Sequence, residues 1–358
     1  MSAAAQAMPT LPETRTARGR KLVWRHSPLF ADDPLTAWDG LLRARGLSEA
    51  DAFFTPRLAD LPDPTGMRDM DKAASRVAEA VLAGEHIHVF GDFDCDGVCG
   101  TAILLEALGR AGARVSFSIP HRADEGHGIG VASVRRAVDA GCQLGISVDT
   151  GTTCFEACQA AAESGFDLIV SDHHLPESTL PPAFALLNPA RADCGFADRR
   201  LCGTGVAFFL LMAVWKQLGD MRPSFDLRRL LDRVAVATVA DVMELTGVNR
   251  ILVHHGLQQL NIRPSTGMAA LLRTARVKNT VSAETIGFYL APRINAAGRM
   301  QHGEAAMKLL STQDAREAAV LAGELDETNR KRRQVEAEVY KQAEARLGGA
   351  EVLAAYDK

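Results

Sequence analysis

The sequence predicts an α/β fold: a parallel β-sheet flanked by helices, followed by a helical region and a long connector helix. Three observations carry this. Short apolar runs alternate with helix-like segments from Asp71 onward, which is the pattern of buried parallel strands with crossover helices. Three of those runs stop at a carboxylate: His86–Phe90 before Gly91-Asp92-Phe93-Asp94-Cys95-Asp96-Gly97, Leu144–Val148 before Asp149-Thr150-Gly151, and Phe166–Val170 before Ser171-Asp172-His173-His174. Finally, Gln313–Leu347 contains no Pro and is rich in Ala, Glu, Arg and Lys, a composition that favours one exposed helix.

Taken in order, residues 1–70 read as an N-terminal extension in which Pro, Gly and charge surround one amphipathic segment, Ala37–Gly46. Residues 71–220 form the metal-binding α/β domain. Its expected elements are a helix through Ala83, the strand His86–Phe90, a helix Val98–Ala111 and the strand Arg114–Ile119. A helix Val131–Ala140, the strand Leu144–Val148, a helix Thr153–Ser164, the strand Asp167–Val170 and the run Phe184–Leu187 follow. The turn Cys202–Val206 opens a mostly helical stretch, Val206–Leu218, Asp226–Asp241, Arg250–Leu260, Gly267–Thr274, Ala283–Tyr289 and Glu304–Leu310, expected on the sheet's open side. Residues 221–312 are thus the helical part of the core and 313–348 the connector. After Gly348-Gly349, residues 349–358 resemble the first strand of a further, truncated domain.

Composition bounds the function. The chain has 358 residues, 47% hydrophobic and 23% charged, ordinary for a globular protein of more than one domain. A net charge of −4 argues against coating nucleic acid by bulk charge and leaves room for a local basic groove. The seven cysteines include no CxxC pair, consistent with a reducing cytoplasm. The N-terminus lacks an apolar run behind basic residues, and Gly205–Trp215 is too short to cross a bilayer. Neither export nor membrane insertion is expected.

The acids Asp92, Asp94, Asp96, Asp149 and Asp172, gathered beyond strand ends with no Lys nearby in sequence, would repel one another and rise in pKa unless divalent cations sat among them. The alternation in Asp92–Asp96 suits chelation by side chains of one strand parity, against the plainer reading of an acidic loop that caps the next helix. An EF-hand is excluded, because no Glu stands twelve positions along from Asp92 or Asp94. His173 and His174 place two imidazoles beside an acid, one able to ligate metal and the other to contact a phosphate oxygen. Asp241 interrupts an apolar stretch and needs a cation, donor or metal if buried. Arg122, Arg293, Asn295 and Arg299 suit phosphate oxygens, or equally structural ion pairs. His254-His255 is given no role.

Together these segments resemble the DHH phosphoesterase superfamily and, within it, the bacterial RecJ family of single-strand-specific 5′ exonucleases. The resemblance spans His86 to Arg299, with Gly91–Gly97, Asp149, Asp172-His173-His174 and Ala240-Asp241-Val242 as its four motifs in order, and Leu201–Phe208 and Pro292–Arg299 as RecJ-specific segments. It implies that Asp94, Asp96, Asp149, His173 and Asp241 ligate two Mn²⁺ or Mg²⁺ ions, with Asp149 as the bridge and Asp92 as a ligand or an orienting group. His174 would touch the scissile phosphate, Arg122 a 5′-phosphate and Arg299 the strand backbone. The implied chemistry is two-metal hydrolysis of single-stranded DNA from its 5′ end, releasing 5′-mononucleotides in repair and recombination. The implied partners are that strand, single-strand-binding protein and a helicase, with the chain a cytoplasmic monomer. Cys95, Cys99 and His127 depart from the residues common in the family. A phosphoesterase of short oligonucleotides or cyclic dinucleotides, and a scaffold without catalysis, are the alternatives.

Overall fold

The computed structural model describes residues 14–15, 21–22, 40–46, 53–120, 128–300 and 303–355; for residues 14, 15, 21, 22, 299, 300 and 345–355 it describes the backbone alone. Arg122 and His127 therefore lie outside the described residues. The chain divides into two units, Met1–Arg57 and Leu58–Lys358. In the first, residues 14–15 pair antiparallel with 21–22, and residues 40–44 are helical.

The second unit is built on five parallel strands: β1 (His86–Gly91), β2 (Arg114–Ser118), β3 (Leu144–Val148), β4 (Asp167–Ser171) and β5 (Ala185–Leu187), in the order β2-β1-β3-β4-β5. The register pairs Ile87 with Val115 on one side and with Leu144 on the other. This order reverses direction between β1 and β3, and ligands of open parallel sheets bind beyond the strand ends at such a reversal. Asp92–Asp96 and Asp149 leave the sheet there.

Four helices alternate with the first strands: α1 (Met70–Ala83), α2 (Cys95–Arg110), α3 (Val131–Asp139) and α4 (Phe155–Glu163). α3 and α4 cover one face through Val134, Ala157 and Cys158, packed with Phe90, Leu168 and Val170. The other face carries α1, α2 and α5 (Gly203–Leu218), whose buried Val206, Phe209 and Leu210 join Ile87, Ile146 and Ile169. The remaining helices are α6 (Leu231–Ala240), α7 (Gly247–Ile262), α8 (Thr266–Thr274), α9 (Ala291–Met300), α10 (Glu304–Ser311) and α11 (Ala315–Ala355). Of the helices expected on the sheet, only α5 lies there. With both faces already covered, the others gather on the outer side of α2 through Val98, Ala235, Val236, Met268, Leu271, Ile294 and Leu309.

Several boundaries differ from expectation for local reasons. α2 starts at Cys95 instead of Val98, because Asp94 caps it by accepting from the N–H groups of Asp96 (2.9 Å) and Gly97 (3.0 Å). The span expected as one helix from Asp226 is a 3₁₀ turn, Leu227–Leu230, followed by α6. Ahead of α9 the chain forms a π turn, Ile286–Leu290, entered through the short helix Ala283–Thr285 and its Ser282 cap. α11 continues through Gly348-Gly349 to Ala355, where a strand was expected. Each Gly weakens a helix by only about 1 kcal/mol, and the surrounding Ala, Glu and Leu favour helix.

α6, which delivers Asp241, is fixed from two sides. Its Arg233 is buried and held by Glu106 of α2 (2.7 Å) and Asp232 (3.2 Å). Against α7, Gly256 leaves no room: a Cβ there would lie 2.2 Å from the Leu231 carbonyl oxygen and 2.4 Å from Ala235 Cβ. Gly256→Ala should gain about 1 kcal/mol in helix propensity and lose more by forcing α6 and α7 apart, for a net destabilisation of about 1–2 kcal/mol in urea unfolding. An unchanged or raised midpoint would contradict this packing.

Candidate metal centre

Each acidic segment is presented by the end of a regular element. After β1 the chain folds so tightly that a Cβ on Gly97 would lie 2.5 Å from Asp92 N. Asp94 is the α2 cap and Asp96 sits in its first turn, so the alternating acids converge through a strand-to-helix turn and not through strand parity. The capping reading and the metal reading are both served by Asp94. Asp149 follows β3 in the left-handed region, φ 62°, a conformation a non-Gly residue adopts rarely and at a cost of about 1–3 kcal/mol. Its N–H still donates to Ser171 O at 3.0 Å. Asp172, His173 and His174 follow β4, and Asp241 caps the C-terminus of α6.

These side chains form three overlapping groups, Asp92/Asp94/Asp149, Asp96/His173/Asp241 and Asp149/His173/His174, within each of which one ligand atom per residue lies within 4.8 Å of the others. His173 Nε2 is 3.0 Å from Asp149 Oδ1, 3.6 Å from Asp241 Oδ2 and 3.9 Å from Asp96 Oδ2. Asp92 Oδ1, Asp149 Oδ1 and Asp241 Oδ2 are buried without a hydrogen-bond partner. The short approach of His173 to Asp149 does not satisfy that oxygen as a hydrogen bond, which is the arrangement of two donors aimed at a shared third partner. Hard divalent cations take carboxylate oxygens and accept imidazole, so the donor set fits them, with Asp149 common to two groups.

The electrostatics point the same way. Burial and the neighbouring Asp94 push Asp92 up to about 6. Burial and the charges of Asp96 and Asp94 push Asp241 up to about 7 and Asp149 well above the usual carboxylate range. Asp94 is raised as well, by burial and Asp96. Asp172 departs from the expected rise. Burial opposes its charge, but the hydrogen bond and charge of His174, with the Thr152 N–H, hold it below the usual range. The Asp172–His174 bond is 2.7 Å, and it lifts the His174 imidazole to about 9. A cavity of about 240 Å³ beside the cluster is lined by Asp92, Asp149, Asp172, His174, Thr150 and Cys154, among others.

The surrounding residues include several that the sequence reading passed over. Both Asp96 oxygens accept from the start of α5, from Gly203 N (2.6 Å) and Thr204 N (2.8 Å). A Cβ on Gly203 would lie 2.7 Å from Asp149 Cα. Asn188 donates to Thr152 Oγ1 and His174 O, fixing the segment after β4. The signals were the Cys202-Gly203-Thr204-Gly205 turn and the Asn-Pro pair behind β5, neither of which names its partner.

The proposed phosphate contacts fare differently. The Arg293 guanidinium donates to Asp326 of α11 (3.0 Å) and Tyr289 O (2.6 Å), the structural ion pair that the sequence allowed beside a phosphate contact. Asn295 Oδ1 accepts from Cys95 N at 2.7 Å, so it braces the turn that carries Asp94 and Asp96. Arg299 lies in α9, its side chain outside the described residues.

A model of the DHH family, N-terminal domain, matches residues 86–238, which carry every strand of the sheet and all the gathered residues except Asp241. A crystal structure of exonuclease RecJ bound to manganese superposes with a TM-score of 0.72 at 37% identity, covering 80% of this chain and 71% of that one. The chain belongs to the RecJ family. RecJ from Thermus thermophilus superposes in its Mn²⁺ complex with a TM-score of 0.73 at 35% identity, over 84% of this chain and 43% of that one, and in its Mg²⁺ complex with 0.65 at 32%, over 86% and 41%. The single-stranded-DNA-specific exonuclease RecJ of Bacillus subtilis strain 168 is 36% identical over 84% of this chain, which spans only 38% of that relative.

Two outcomes follow for this RecJ-family centre. Gly203→Ala should weaken Mn²⁺ binding at least tenfold, measured by calorimetry, because the added methyl displaces Asp149; unaltered affinity would refute that contact. In chelator, a carboxylate whose folded pKa lies above its ordinary value near 3.8 favours the folded state at low pH and loses that contribution as pH rises to the folded value. The stability difference between the native chain and Asp241→Asn should therefore fall between pH 4 and 7, and saturating Mn²⁺ should reverse the trend. A difference that grows with pH in chelator would overturn the assignment.

Proposed function

We propose that this chain is the metal-dependent phosphodiesterase core of a single-strand-specific DNA exonuclease that degrades from the 5′ end and releases 5′-mononucleotides. The observation that carries this reading is the convergence of three orphaned carboxylate oxygens and two imidazoles at the β1/β3 reversal. Relatives at 35–37% identity, described as RecJ and, for the solved structures, as bound to Mn²⁺, support the same reading.

Asp92, Asp94 and Asp149 would hold one divalent cation, Mn²⁺ or Mg²⁺, and Asp96, His173 and Asp241 a second, with Asp149 reaching both. When bound, such a pair acidifies water and offsets charge on attacking and leaving oxygens of a phosphodiester. The chain's own residues prepare that site. Asp92, Asp149 and Asp241 each keep one buried oxygen free of protein donors. The start of α5 fixes Asp96 and leaves its charge partly balanced. His174, charged at neutral pH through Asp172, presents its other ring N–H to a phosphate oxygen. Asp172 serves as a positioning residue, since it touches His174 and not the substrate. Arg122 receives the 5′-phosphate and Arg299 the strand.

Among the described residues no helix is long and apolar enough to cross a membrane. A cytoplasmic monomer that works with single-strand-binding protein and a helicase fits the proposed activity.

Asp149→Ala should abolish Mn²⁺-dependent hydrolysis of a 5′-phosphorylated single strand while the fold persists by circular dichroism; retained activity would sink the proposal. His174→Ala should lower kcat by about 10²–10⁴ with Mn²⁺ affinity kept within threefold. Arg122→Ala should raise KM on 5′-phosphorylated strands and leave strands without that phosphate unaffected; equal effects on both would remove the 5′-end pocket.

A further inference from the structure

α2 begins at the metal centre and ends, 16 residues on and about 24 Å away at 1.5 Å per residue, beside a cleft of about 180 Å³ that plays no part in the chemistry above. Its lining includes Arg110, Arg229, Arg233, Arg263 and Ser265, with one carboxylate, Glu106. Arg233 is balanced by Glu106 and Asp232. The other three arginines have no carboxylate within ion-pair distance among the described residues, and Arg110 rests 5.8 Å from the Phe225 ring. Guanidinium groups gathered this way repel one another unless an anion joins them.

Two further features of the cleft lack an acceptor or donor of their own. α8, nine residues long, starts here; Ser265 ahead of it makes no side-chain cap and its own N–H donates to Asp232 Oδ2 at 2.8 Å, which leaves the N–H groups of the first turn proper without a side-chain acceptor. Ser265 Oγ is buried and has no hydrogen-bond partner. An adjoining hollow of about 460 Å³ shares Arg229, Gln259 and Arg263 and adds Leu231, Gln258 and Ile262. Ile262 is 82% exposed, an unusual position for so apolar a side chain beside three cations.

We propose that this cleft binds a nucleoside phosphate. Its phosphate lies among Arg110, Arg263, Ser265 and the start of α8, and its base lies over the exposed Ile262 with its polar edge toward the Gln258 and Gln259 amides. The small, converging volume favours one phosphate group over an extended strand, which needs a track of spaced cations.

The test is calorimetric titration of the whole chain in chelator with adenosine 5′-monophosphate, adenosine, pyrophosphate and an unstructured deoxyoligonucleotide. The nucleotide should bind saturably, at least tenfold tighter than adenosine, and pyrophosphate should compete with it. Arg110→Ala/Arg263→Ala should lower its affinity at least tenfold with an unchanged Tm, since both side chains are exposed, and Asp149→Ala should leave it unaltered. No saturable binding at millimolar nucleotide, or equal binding of adenosine, would overturn the proposal. So would loss of binding in Asp149→Ala, which would move the site to the metal centre. Tighter binding of the oligonucleotide, abolished by the same double substitution, would make the cleft a strand-binding surface instead.

Discussion

The structure is organised around a repulsion it does not relieve by itself. Asp92, Asp94, Asp149 and Asp241 are forced toward one point, each is raised above its ordinary pKa, and among the described residues neither Lys nor Arg pairs with any of them. The one strong counter-charge in reach, His174, is drawn toward Asp172, 2.7 Å away, and stands 3.9 Å from Asp149. A buried anion without a partner normally neutralises or is replaced. Four such anions, held together by well-formed strands and helices, are coherent only as half of an interaction whose other half is a cation.

Holding them together demands rigidity, and the fold supplies it through close backbone approach. Gly97 against Asp92 and Gly203 against Asp149 leave no space for a Cβ, so the β1–α2 turn and the start of α5 are pressed onto the strand ends. Asp149 is held at positive φ while still bonded to Ser171. α5 contributes twice over, because the same turn that crowds Asp149 also donates its N–H groups to Asp96. The tightness that fixes the ligands is thus the source of the local strain, and packing of α5 across the sheet sustains both.

Much of this was legible in the sequence because strands and acids announce themselves locally. The runs ending at Phe90, Val148 and Val170 are strands to within one residue of their expected ends, and the carboxylates just beyond them meet because a parallel sheet aligns all strand ends on one edge. Asp241 was legible as an acid in an apolar stretch. What sequence could not show was pairing at long range. Asp172 differs from its neighbours only because Thr152, 20 positions away, and His174 reach it. Gly203 and Thr204 meet Asp96 across more than 100 residues. The end of α11 was misjudged because Gly-Gly marks a break only where the flanking residues are weak helix formers.

The fate of the Pro292–Arg299 segment shows how a segment can serve a site without touching its substrate. Arg293 ties α9 to α11 through Asp326, Asn295 ties α9 to the turn of Asp94 and Asp96 through Cys95, and Gly298 lets α9 close to within contact of the Phe93 carbonyl, 2.4 Å from where a Cβ would sit. Two positions on one helix, Asn295 and Gly298, therefore brace the Asp92–Asp96 turn from outside the sheet, while α2 fixes it from within. A carboxylate cluster that repels itself would otherwise open where its charge is densest, and this turn carries Asp92, Asp94 and Asp96 within five residues. α9 is the clamp on that side, and α11, through Asp326, anchors the clamp.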